Sequence, residues 1–122
     1  MRPITINGEL WGAIRVKAGD PRLIDRTGIP RLATTDPRSM TICILDSLKP
    51  PLLDRVVLHE VAHAITVSWG LLTRLRAAIP PESWVDVEEW SARLMEAHAI
   101  EAVRAASEAL GRPVCIMGVC DD

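Results

Sequence analysis

Apolar positions change their period along the chain, and the changes divide it into strands, one long loop and two helices. Ile4 and Ile6, then Leu10, Gly12, Ile14 and Val16, fall at every second position on either side of Asn7-Gly8. Both residues of an Asn-Gly pair tolerate positive φ, so the spacing predicts a hairpin, with Trp11, Ala13 and Arg15 on the other face of its second strand. Residues 17–38 are broken by Gly19, Pro21, Gly28, Pro30 and Pro37 and hold only short apolar patches. They predict a loop with one helical turn around residues 21–26, followed by a short strand. Residues 40–45 are β-branched or apolar almost throughout, which predicts another strand.

From Leu52 to Trp69 the period lengthens, and apolar residues go nearly all the way round a helical wheel. Such a helix is buried on most sides, with Pro51 suited to its first turn and Gly70 to its stop. Residues 71–81 read as a connector whose only charges are Arg74 and Arg76. Asp86 and Glu89 form a capping box for a second helix, Ser83 offers an earlier start, and Gly111 and Pro113 end it after Leu110. At 100° per residue, Val85, Ala92, Met95, Ala99, Val103, Ala106 and Leu110 line one stripe of that helix. Arg93, Glu101, Arg104 and Glu108 gather opposite, with Glu89 and Glu96 at the edge of their sector. Glu88 falls inside the apolar stripe and His98 on its border. The pattern predicts a single α+β domain. Residues 1–48 are mostly an antiparallel β-sheet, packed on a helix over 51–69 and a long helix over 83–110, with 111–122 as a tail.

Composition narrows the function classes. A chain of 122 residues that is 48% hydrophobic and 25% charged has enough apolar surface for one modest core. A net charge of −2 with scattered arginines offers no broad attraction to nucleic acid or to acidic lipid. The amino terminus turns polar too soon for a signal peptide, and no apolar run reaches the roughly 20 residues of a membrane span. The expectation is a cytoplasmic protein. Three cysteines make no disulfide framework: Cys43 reads as a buried small hydrophobe, and Cys115 and Cys120 as structural, with a bridge or weak clamp as the other option. Tyr and Phe are absent, so an oxyanion would have to be stabilised by His, Arg, a backbone N–H or a metal.

The candidate chemistry lies in the first helix, where Leu58-His59-Glu60-Val61-Ala62-His63 reads H-E-x-x-H. Histidines four apart share a helix face, so both rings can turn to one metal ion, and the adjacent Glu60 can serve a water there. Catalytic zinc takes three protein ligands, and the third has to come from the second helix. An acid on an apolar face is costly unless paired or metal-bound, which favours Glu88, with Glu89 in its place if the helix register is shifted. His98, about 15 Å further along the axis, cannot share an ion with Glu88 and reads as a half-buried histidine.

The order of elements resembles the minimal zincin-type metallopeptidases of the gluzincin kind, notably short phage- and prophage-encoded ones. The residues that carry it are 40–45, the H-E-x-x-H of residues 58–65, and the paired acids in Val87-Glu88-Glu89-Trp90. The likeness spans most of residues 4–110, and within it only the H-E-x-x-H is specific. The metzincin extension is missing after His63. The resemblance implies a Zn²⁺ ion on His59, His63 and a Glu of the second helix, Glu60 as general base, and a peptide or protein substrate. It also implies that the strand before the active-site helix is a sheet edge, which would make Thr41, Ile42, Cys43 and Ile44 a rail for an extended peptide. Zinc would activate water and polarise the scissile carbonyl, with Arg93 or His98 as further candidates for the oxyanion. The rival expectation is a binding or regulatory module that keeps this fold without useful catalysis, such as a phage accessory protein acting on a host partner.

Overall fold

The hairpin forms as its sequence predicts. In a computed structural model describing residues 1–114, β1 (Arg2–Ile6) and β2 (Glu9–Val16) pair antiparallel across Asn7-Gly8. Both turn residues sit at positive φ, 50° and 75°, as a twisted two-residue turn requires. The loop that follows makes one 3-10 turn at Pro21–Leu23, capped by the Asp20 carboxylate, which accepts from the Arg22 N–H. The short strand expected after that turn is β3 (Ala33–Asp36), while Ile24 and Pro30 make only an isolated bridge. Asp36 then grips a tight turn, accepting from the Arg38 N–H at 3.0 Å and the Ser39 hydroxyl at 2.9 Å, before β4 (Thr41–Leu45).

The strands lie in the order β1-β2-β4-β3, and two predictions need correction. The sheet is mixed, because the long loop carries the chain back so that β4 runs parallel to β2. Nor is β4 an edge: it pairs with β2 on one side and β3 on the other, and Ile42, Cys43 and Ile44 are all buried. A strand with two neighbours has no free backbone to lend, so Thr41, Ile42, Cys43 and Ile44 do not form a peptide rail. The edge on that side is β3.

Alternation sorts the core into two layers. Trp11, Ala33, Ile42 and Ile44 face α1 (Leu52–Ser68) and meet Ala64, whereas Val16 and Cys43 point away and are covered by Leu23 of the 3-10 turn. The Trp11 indole N–H donates to the Ser68 hydroxyl at 2.7 Å, and the Asn7 side-chain amide donates to the Ser68 carbonyl at 3.0 Å, so the hairpin is tied to the end of α1. Gly70, at φ 65°, turns the chain by 81° into a second helix, α2 (Leu71–Ala78), where a connector was expected. Leu72, Leu75 and Ile79 explain it: they recur at helical spacing and are half-buried.

The long helix is α3 (Trp84–Leu110), preceded by a 3-10 turn at Pro81–Ser83. It packs antiparallel along α1 through the middle of its apolar stripe, where Ala92 is buried. The stripe continues past the end of α1, so Val103 and Leu110 are exposed, as is Ile100 beside them. Val85, at the other end of the stripe, is exposed too. Among the described residues no single helix is long and apolar enough to cross a membrane. Cys43 is a free, buried thiol as expected, and Cys115 and Cys120 lie outside the described residues.

Candidate metal centre

One turn of α1 separates His59 from His63, and the helix face they share is the one α3 covers. Their Nε2 atoms lie 3.2 Å apart. A Glu89 oxygen is 3.4 Å from the first and the other oxygen 3.2 Å from the second. Donors held at zinc's usual bond lengths on a tetrahedron sit roughly 3.3 Å from one another, so the spacing of this trio fits that ion. Two imidazole nitrogens and a carboxylate converge here, a donor set that a proton or a cation between them would hold together. Among the described residues His59, His63 and Glu89 are the group placed to hold a metal.

Glu88, the acid favoured from the wheel, does something else. Its Oε1 lies 3.1 Å from His63 Nδ1, the ring nitrogen on the far side from the cluster. The correction has a simple origin: at the point where α1 and α3 meet, the polar-sector edge faces the Nε2 atoms and the stripe faces the back of the His63 ring. A carboxylate there fixes the tautomer that leaves Nε2 free for a metal. His59 has no such hydrogen bond among the described residues: Glu96 Oε2 stands 3.6 Å from its Nδ1, an electrostatic neighbour only, and Arg55 stands 3.9 Å from the other Glu96 oxygen. Burial works against a charged His63 ring, but the bond to Glu88 and the charges of Glu60, Glu89 and Glu88 outweigh it, raising the pKa above the ordinary 6.5. The same bond, against the effect of burial, holds the Glu88 carboxyl below its usual range.

Glu60 is buried beside this cluster and held from the sheet. The Thr35 hydroxyl on β3 lies 2.7 Å from Glu60 Oε2 and 3.2 Å from the Glu60 carbonyl. This orients the carboxylate toward an open cleft of about 380 Å³, lined by Arg31, Leu32 and Ala33 leading into β3, by Val56, His59 and Glu60 of α1, and by Glu89, Arg93 and Glu96 of α3. That is large enough for a few side chains of a peptide or a small ligand. The edge strand reaches the cleft at its first residue, Ala33.

His59, Glu60 and His63 come together as the sequence indicated, and Glu89, the alternative to Glu88, joins them. His98 does not: its side chain is 62% exposed and pairs only loosely with Glu101, at 3.9 Å, so it is neither half-buried nor near the cleft. Thr35, Glu96 and Arg31 were missed. Glu96 was readable, standing two helical turns after Glu89 on the same face, whereas nothing in the sequence distinguished Thr35 from Thr34. The chain matches no family model, and neither a similar curated protein nor a similar solved structure was found.

Proposed function

We propose that the protein is a zinc-dependent metallopeptidase of the minimal zincin kind, acting on peptides or proteins in the cytoplasm. The observation that carries the proposal is the convergence of His59 Nε2, His63 Nε2 and Glu89 beside a Glu60 carboxylate held by Thr35, in a cleft bordered by a sheet edge. Zinc on that trio would supply a Lewis acid that makes water a competent nucleophile near neutral pH and polarises a carbonyl. Glu60 takes the proton from a water in the cleft and delivers it to the leaving amine. Thr35 keeps the carboxylate aimed. Glu88 holds the His63 imidazole in register, and β3 receives the substrate backbone as an added strand. Glu60→Gln is expected to bind zinc as wild type does and to lose hydrolysis of a mixed peptide pool. Retained, chelator-sensitive hydrolysis by that variant refutes the role given to Glu60. A second reading, a zinc-holding module without catalysis, draws support from the absence of Tyr, which leaves few donors for an oxyanion. Zinc present in the pure protein with no cleavage of any peptide would favour it.

A further inference from the structure

We propose that Arg31 and Arg93 form an anion subsite beside the metal centre, receiving a carboxylate of the peptide substrate. This rests on the metallopeptidase reading and assigns that reading a substrate class. Both guanidinium-bearing residues line the cleft, one from the loop leading into β3 and one from α3, with His59, Glu60 and Glu89 in the same lining. Arg31 enters that lining from the segment just before β3, beside Leu32 and Ala33.

Its direction is fixed in advance. Arg31 Nε donates to Asp25 Oδ2 at 2.7 Å, and Asp25 is itself pinned by donors from the Thr27 N–H, the Thr27 hydroxyl and the Ile29 N–H. Among the described residues that leaves both Nη groups of Arg31 unused, and the Arg93 side chain makes no hydrogen bond or ion pair. The acids of the lining have other neighbours: Glu89 the metal, Glu60 the Thr35 hydroxyl, and Glu96 the charges of His59 and Arg55 at 3.6 and 3.9 Å. What the occupied cleft has left to offer is two arginine forks, and such forks match a carboxylate in shape as well as in charge. The carboxylate can come from an acidic side chain or from a free carboxyl terminus.

Binding tests this without turnover. Zinc-loaded Glu60→Gln protein is titrated into fluorescein-labelled short peptides in pairs: an internal Glu against Gln, and a free against an amidated carboxyl terminus. One pair or the other is expected to favour the carboxylate by about tenfold, which names the source. Adding R31Q or R93Q is expected to bring that ratio close to one. Equal affinity within both pairs, or a preference that survives both substitutions, overturns the proposal. R31Q also removes a partner of Asp25, so if its melting temperature falls, R93Q carries the test alone. Wild-type metal content and chelator-sensitive cleavage of a neutral peptide are measured alongside. Cleavage without a carboxylate preference rejects the subsite only, whereas wild type that holds no metal rejects the metallopeptidase reading and the subsite with it.

Discussion

Replacing Glu88 and Glu89 separately, each by Gln, distinguishes a ligand from a brace. Gln is nearly isosteric, so packing changes little and the loss reads out chemistry. At position 89 the substitution removes an anion whose oxygens stand 3.4 and 3.2 Å from the two Nε2 atoms, where the metal would sit. At position 88 it removes charge from an oxygen 3.1 Å from His63 Nδ1 but leaves an amide oxygen able to accept the same hydrogen bond. Removing such a brace typically weakens metal binding 10- to 100-fold, or roughly 1.4 to 2.7 kcal/mol. Removing one of three protein ligands is expected to exceed the upper end of that range. Competition of each variant against a chromophoric zinc chelator at pH 7.5 measures both losses. If Glu88→Gln weakens zinc more than Glu89→Gln, the assignment of the trio is wrong.

Three further outcomes follow from the same geometry. Thr35→Val removes the hydroxyl that orients Glu60 and is expected to lower kcat by about tenfold while zinc affinity, read in the same chelator competition, stays within twofold. The apo protein carries a pH signature at the Glu88–His63 pair. The lowered Glu88 pKa gives stability that is present above the ordinary 4.5 and lost as pH falls through the folded value, and the raised His63 pKa gives stability present below 6.5 and lost as pH rises through the folded value. Chelator-treated protein should therefore melt highest between those limits, zinc should move the optimum upward because it competes with the His63 proton, and a shallower pH dependence in Glu88→Gln, with the share from Glu60 and Glu89 left, would confirm the pair's part. Finally, Trp11→Ala empties a fully enclosed site between sheet and α1, where the residue is 1% exposed, and is expected to cost about 3–5 kcal/mol by urea denaturation, while Trp11→Phe loses chiefly the bond to Ser68, about 1 kcal/mol.

Local chemistry was legible where one residue or one period decides the outcome. Asn7-Gly8 specifies its turn by the φ values it allows, Gly70 ends α1, and the spacing of His59 and His63 guarantees that they share a face. Pairing was less legible, because which strands become neighbours depends on the path of residues 17–40 rather than on any strand's own pattern. A clue did exist: residues 42–44 are apolar without alternation, which suits a strand covered on both faces better than an edge. The choice between Glu88 and Glu89 turned on the rotation of α3 about its own axis against α1, and one residue's step of 100° exceeds what a wheel can resolve without the partner helix. Thr35 reaches Glu60 across the sheet–helix boundary, a contact that belongs to tertiary structure alone.

The overhang of α3 bears on how long the folded chain survives. Only part of this helix has a core to lean on, yet it contributes the acid that would complete the metal trio and the brace behind His63. With zinc in place as proposed, the ion rivets α3 to α1 at the one stretch where the two helices meet. Free zinc at a hundred times its dissociation constant would then add about 2.7 kcal/mol to folding. On that reading zinc scarcity would also loosen the fold: a helix unfastened from its neighbour is the first piece a protease reaches, so metal supply would set the lifetime of the chain.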